Sequence, residues 1–398
     1  MLDYAQSSAR AGARGGIAEL GTVARRVDWL LVAAVAAVVA YGLWAVSGIT
    51  HSRVPGNPNF YLVRQSIFVA VGAVALVIGV LVDPIVYRRY WRPIYGVTVG
   101  LMVVVFLAAP YTRGSRRWID LGFFRFQPSE FGKLLFVLAL AGFVAERGKR
   151  VNDPRTTLAT VGFAVVPILL VFKQPDFGTA LVYGAALAAV LFFAGVRWLH
   201  VAVLCSSAAL LAVLVLWALP AAGAPVLKDY QKQRLTSFVN PGKNPSDATY
   251  NVTQSKVAIG AGGFRGRGLE NSTQTDLNYL PESNTDFAFA AFAEQRGFVG
   301  AAVLLLLYLL VVWRGLRIVA VASDAYSAIV AGAIVVALLF EIFINVGMTM
   351  AIAPVTGIPL PFLSVGGSSM IANLAAVGVL LGIHARARVA PATSRRRR

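Results

Sequence analysis

The chain carries one cysteine, Cys205, and three histidines, His51, His200 and His384, in 398 residues. A single cysteine excludes an internal disulfide framework. Histidines this scattered offer no metal-ligand spacing, which speaks against a zinc site or a Ser-His-Asp hydrolase. Charge is scarce too: Asp, Glu, Lys and Arg make up 14% of the residues, and they are lopsided, with 18 acids against 36 bases. Period-two alternation of apolar and polar residues is missing, so a membrane β-barrel is not expected. No cleavable signal is evident, because the first apolar run begins only near Trp29. Neither a repeat of fixed period nor a second soluble domain can be read.

What is present is apolar. The chain is 58% hydrophobic with a mean hydropathy of +0.70, the composition of a multi-span membrane protein. Ten apolar stretches can be traced, at about 29–48, 63–82, 94–110, 128–145, 158–173, 176–195, 198–220, 286–313, 327–352 and 366–385. A bilayer crossing needs about 20 residues of helix, so the fourth to sixth are short or closely joined. The expected fold is therefore all-α: a ten-helix transmembrane bundle spanning 29–385. Residues 1–28 form an N-terminal segment, and 386–398 form a basic tail ending in Arg395 to Arg398. An even number of spans puts both termini on one side. If that side is the cytoplasm, 20 of the 36 Lys and Arg lie inside, among them Arg25, Arg26, Arg88, Arg89, Arg92, Arg147, Lys149 and Arg150. That bias places the long 222–285 segment, between the seventh and eighth spans, outside. The formal charge of +18 then faces anionic lipid headgroups, and no nucleic-acid partner is expected.

The polar residues inside this apolar frame gather at the outer ends of spans. Asp286 stands where the 222–285 segment runs into the eighth span, in Leu280-Pro281-Glu282-Ser283-Asn284-Thr285-Asp286-Phe287. A carboxylate at the mouth of a membrane helix is costly unless something holds or uses its charge; capping the helix N-terminus is the structural alternative. Glu294 follows eight residues later, about 12 Å deeper along a helix. The fourth span opens with Pro128-Ser129-Glu130-Phe131-Gly132-Lys133, where Glu130 and Lys133, three apart, share a helix face and can pair. Arg116, Arg117 and Trp118 precede it, and Asp176 sits between the fifth and sixth spans. The last outer loop, from Pro354, contains Ser364 and Ser368. Gly260 to Gly268 forms a glycine cluster containing Arg265 and Arg267; it suits either a closely packed backbone offering N–H groups to an anion or a flexible turn. A dinucleotide fingerprint is rejected there, because no strand precedes it. Glu341 and Asn345 lie within the ninth span, where a transport pathway would place them.

These segments also carry a resemblance. GSRRWI (114–119), FQPSEFGK (126–133), QPDFGTA (174–180), QSKVAIGAGG (254–263), LPESNTDFAF (280–289) and the 347–369 segment, GMTMAIAPVTGIPLPFLSVGGSS, resemble the shape, elongation, division and sporulation (SEDS) family. The wording of 247–263 and of Gly357 to Pro361 is closest to its RodA-type, cell-elongation branch rather than the division branch. Val365 stands where the family usually has Tyr, and Ala288 where it usually has a larger apolar residue. The resemblance implies a peptidoglycan glycosyltransferase in the bacterial cytoplasmic membrane. It would polymerise lipid II, an undecaprenyl diphosphate-linked disaccharide-peptide, at the outer face. Asp286 is the expected general base. Arg116, Arg117, Lys133 and Lys256 are expected at the diphosphate. Trp118, Glu130, Asp176, Glu282, Ser364 and Ser368 complete the substrate site. A divalent cation, Mg or Mn, is a weaker expectation, with Glu130 or Asp176 as its ligands. A class B penicillin-binding protein is the implied partner, since nothing in the chain supplies a transpeptidase. The competing functions are a lipid II flippase and a non-catalytic scaffold for wall synthesis.

Overall fold

The computed structural model describes residues 25–387 apart from 52, 55, 110–116, 123 and 215–246. The apolar stretches fold as helices: α1 (Trp29–Ile49), α2 (Phe60–Leu81), a short α3 (Pro84–Arg89) and α4 (Trp91–Ala108). They continue with α5 (Pro128–Ala145), α6 (Pro154–Lys173), α7 (Phe177–Phe193) and α8 (Trp198–Val213). After the undescribed stretch come α9 (Asp247–Gly262), a one-turn α10 (Thr273–Asp276), α11 (Ala288–Val321), α12 (Ala325–Thr349) and α13 (Gly367–Ala387). Eight of these are long and apolar enough to cross a membrane, while α7 and α8 are shorter apolar helices. The chain is thus a multi-pass membrane protein.

Aspartates start the helices. Asp28 Oδ1 accepts from Leu31 N, and Asp83 and Asp153 cap α3 and α6 just before Pro84 and Pro154. Asp176 caps α7, and Asp324 caps α12 through Ser327 N. Each satisfies backbone donors that a helix start leaves unpaired. Helix α6 consequently begins at Pro154, not near 158. Helix α11 runs to Val321 rather than stopping at 313. Arg314 there reaches back to Asp28, and Arg317 lies over the Trp313 ring, so the extra turns are anchored by charge beyond the apolar stretch.

Helix α13 is the centre of the bundle, 89% buried over its span against 22% for α4. It lies along α2 with backbones nearly touching: a Cβ on Gly378 would sit 2.2 Å from the Leu76 carbonyl oxygen. Close approach of small residues is how membrane helices associate. The outward faces of α2 (Val63, Ile67, Val71, Val74) and α4 (Val97, Val104) remain exposed and apolar. Two features depart from the sequence reading. A two-residue antiparallel ladder pairs Ile119 with Phe126 and Asp120 with Arg125 just before α5. The long polar segment also contains a regular helix, α9, whose Ser255 hydroxyl donates to the Thr349 carbonyl at 2.7 Å and docks it on α12.

Candidate functional site

The segment before α11 is a tight, fully engaged turn. Glu282 adopts a left-handed φ of 51°, and its carbonyl accepts from both Thr285 N and Phe287 N at 3.1 Å. Thr285 Oγ1 donates to Glu282 Oε2 at 2.9 Å. Left-handed backbone at a non-glycine residue persists only where surrounding contacts enforce it. The helix N-cap is Phe287, so Asp286 stands one residue outside the cap. Its carbonyl accepts from Asn345 Nδ2 at 2.9 Å, and the same amide donates to Ile358 O at 2.7 Å. The neighbouring Thr285 carbonyl accepts from Ser364 Oγ at 2.6 Å, and Val365 N donates to Asn284 O at 2.8 Å. Gln65 on α2 holds the loop from behind, donating to Ser364 O and accepting from Gly366 N. Asp286 itself is half-buried, with its main chain fixed by α12 and by the loop before α13. Ser364 therefore acts on the backbone around Asp286. Gln65 and Asn345 are supports that motif reading missed or put to another use. Their signal was an amide in the middle of an apolar stretch.

A second cluster adjoins the first. Arg117 lies 3.7 Å from Asp176 Oδ1 and over the Trp118 ring. Trp118 Nε1 donates to Gln127 Oε1 at 3.0 Å, and Gln127 Nε2 donates to Asp176 Oδ2 at 3.0 Å. Ser129 Oγ also faces Asp176. Ser368 Oγ accepts from Gln127 N at 2.9 Å and donates to Arg125 O. The start of α5, the cap of α7 and the first turn of α13 with Ser368 thus meet, and the loop carrying Ser364 leads from there to the first cluster.

The third cluster changes the meaning of Lys133. Its Nζ lies 2.9 Å from Glu130 Oε2 and 2.5 Å from Glu341 Oε1. Only the second contact is aligned as a hydrogen bond, so Glu130 Oε2 is held by charge without a directed donor. All three residues are at most 9% exposed. Two carboxylates and one ammonium leave a net charge of −1, so Lys133 offers a diphosphate no net positive charge; it is an internal counter-ion. Glu341 is likewise its partner rather than the lining of an open pathway. The triad borders a cavity of about 40 Å³ shared with Asn373, Leu134 and Leu338, enough for one or two waters.

Deeper along α11, Glu294 is fully buried and holds the short α10 by its N-terminus. Its carboxylate accepts from Gln274 N, Thr275 N and Thr275 Oγ1 at 2.7–3.0 Å. Burial and the neighbouring Glu294 push the Asp276 carboxyl up, while His51 opposes. Three residues on, Gly297 breaks the helix at φ 66°, and the glycine cluster fills the break. Arg267 N and Gly268 N donate to the carbonyls of Glu294 and Gln295, while Phe298 N and Val299 N donate to Gly263 O and Phe264 O. Those N–H groups are consumed by backbone. The cluster is a packed clamp, and the anion-binding and flexible-turn readings both give way to it.

Lys256 is exposed on α9, a helix packed against α11 and α12. Arg116 lies outside the described residues, as do 1–24, 215–246 and the 388–398 tail. Glu130 and Asp176 do not fit a hard cation: each already faces a base, and among the described residues no group of three His, Cys, Asp or Glu could hold a metal.

The fold and the gathered polar network define a multi-span helical membrane protein with a half-buried carboxylate, Asp286, at the start of α11. The family model described as "Cell cycle protein" (FtsW, RodA, SpoVE) matches residues 25–389, and the chain belongs to that family, the one its motifs resemble. Peptidoglycan glycosyltransferase MrdB of Escherichia coli (strain K12) is 38% identical over 320 residues, 79% of this chain and 83% of that protein. Among solved structures, a chain of a peptidoglycan synthase complex that coordinates polymerization and crosslinking superimposes with a TM-score of 0.76 at 29% identity, covering 90% of this chain and 97% of that one. The Rod shape determining protein RodA of Thermus thermophilus gives 0.66 at 28% identity, covering 90% and 97%.

Proposed function

We infer that the chain is a peptidoglycan glycosyltransferase that polymerises lipid II into β-1,4 glycan for cell elongation and shape. The observation that carries the mechanism is the half-buried Asp286 on a main chain pinned by Asn345 and Ser364, inside a chain similar to MrdB over most of its length. Asp286 takes the proton from the acceptor sugar's 4-hydroxyl as that oxygen attacks the donor's anomeric carbon. The bond from that carbon to the diphosphate breaks, its electrons leave with undecaprenyl diphosphate, and a single displacement inverts an α-linked donor to a β product. General-base help of this kind is worth about 10²–10⁴-fold. Arg116, Arg117 and Lys256 meet the diphosphate, with Trp118 beneath Arg117. Glu282, Ser364, Ser368 and Asp176 shape the walls, and the Glu130–Lys133–Glu341 triad holds α5 to α12.

In this reading ten helices cross the bacterial cytoplasmic membrane within 29–385. Both termini are cytoplasmic, and the 222–285 segment is outside, consistent with the charge bias. A class B penicillin-binding protein supplies crosslinking; resemblance to the peptidoglycan synthase complex supports such a partner. The flippase alternative loses its midspan charge to the Lys133 pair. Purified protein given lipid II should yield glycan polymer. Lipid II movement across liposomes without polymer would overturn the reading.

A further inference from the structure

Two of the cations singled out by motif are shared with carboxylates: Arg117 leans on Asp176, and Lys133 is held between two glutamates. A different arginine is placed differently. Arg53 lies in the turn joining α1 to α2, outside every motif above, and its Nη2 donates to Ser283 Oγ at 2.5 Å. Ser283 is fully buried and stands three residues before Asp286, in the turn built on Glu282. The guanidinium is half-buried, yet no carboxylate among the described residues lies within ion-pair distance of it. Its Nε is enclosed and has no hydrogen-bond partner. Buried donors are satisfied in stable proteins, and an orphan calls for a cause. A planar guanidinium with one edge tied down presents its remaining N–H groups in the fork that matches phosphate oxygens.

We propose that Arg53 is a substrate-binding residue that takes a diphosphate oxygen of the polyprenyl-linked substrate beside Asp286, with Ser283 fixing the guanidinium for that contact. The proposal rests on the glycosyltransferase reading for the identity of the substrate. Orientation by Ser283 keeps the rotamer cost of binding low. A ligand phosphate would take the guanidinium N–H groups that Ser283 leaves free and neutralise a charge that, among the described residues, has no carboxylate within ion-pair distance.

The test uses the full-length protein in detergent or nanodiscs, with undecaprenyl diphosphate and uncharged undecaprenol as probes. Wild type should prefer the diphosphate. Arg53→Ala should lose that preference by about 10- to 100-fold, the range a charge-assisted contact carries. Arg53→Lys should recover part of it, and Ser283→Ala should keep most of it. In polymerisation with lipid II, Arg53→Ala should raise KM far more than it lowers kcat. Equal losses in Arg53→Ala and Ser283→Ala would make the contact a loop staple. A defect seen only with peptide-bearing lipid II, and not with undecaprenyl diphosphate, would assign the arginine to peptide carboxylates. Unchanged preference in Arg53→Ala overturns the proposal outright. Arg53→Gln serves if the alanine variant does not fold. Wild type that binds the diphosphate selectively yet makes no glycan would refute the enzymatic reading and leave Arg53's role standing.

Discussion

Lys133→Met is the substitution whose consequence the structure specifies most fully. The side chain is about the right length and apolar, so packing survives, while both Glu130 and Glu341 lose their counter-ion inside the bundle. Breaking a buried pair typically costs about 3–5 kcal/mol, chiefly because a charge is stranded. At roughly 2 °C per kcal/mol for a large domain, the apparent melting temperature should fall about 6–10 °C. The graded controls follow from charge counting. Glu341→Gln leaves one carboxylate against one ammonium, so it should shift melting far less. The double change Glu130→Gln with Lys133→Met still strands Glu341 and should remain unstable. Adding Glu341→Gln removes every charge and should restore most of the loss. Fluorescence-detected thermal melting of the purified variants reads all four. A Lys133→Met protein as stable as wild type, or a triple variant no better than the single one, would refute the triad as a structural unit.

Glu294→Ala strands two backbone N–H groups and a hydroxyl of α10, which should cost roughly 3 kcal/mol or more and open 262–277 to faster hydrogen exchange. Gly297→Ala should abolish stable expression, since its Cβ would lie 2.2 Å from Gly266 N at a φ of 66°. Burial would raise the Asp28 carboxyl, but the Arg314 hydrogen bond and charge and the Leu31 N–H outweigh it and hold it below its ordinary 3.8. A depressed folded value means its stabilisation is complete above the unfolded pKa and is lost as pH falls through the folded one. Acid melting profiles of wild type and Asp28→Asn should accordingly converge at low pH and separate above it. For orientation, Asn271→Cys in a Cys205→Ser background should react with an impermeant thiol reagent from outside intact spheroplasts. Asn271 is exposed, whereas the adjacent Ser272 is buried. Labelling only after lysis would reverse the topology.

Much of the bundle was legible because twenty-residue apolar runs and aspartate caps are local signals. The helix ends that moved, at Pro154 and Val321, were set by a cap and by Arg314 reaching Asp28, the second of which is a long-range contact. Convergence of Asp286, Asp176, Arg117, Ser364 and Ser368 could be anticipated from their positions at the ends of apolar stretches expected on one side. Which partner each would take could not. Glu130 and Lys133 advertised their pairing through helical spacing, but Glu341, 208 residues away, carries no spacing signal, and its arrival turns a neutral pair into a charged triad. The glycine cluster misled for a related reason: its N–H groups are answered by a helix break thirty residues downstream at Gly297, a backbone event that composition does not announce. Arg53 belongs to no motif, so nothing in the sequence sets it apart.

The central claim is that Asp286 accepts a proton during glycan polymerisation. Asp286→Asn keeps the side chain's size and leaves the carbonyl that Asn345 holds untouched, but it removes the base. Initial rates of glycan formation from lipid II by purified protein, with melting temperature as the folding control, test this most directly. The account predicts a loss of about 10²-fold or more in a protein that melts like wild type. Near-normal turnover by a folded Asp286→Asn protein would contradict it.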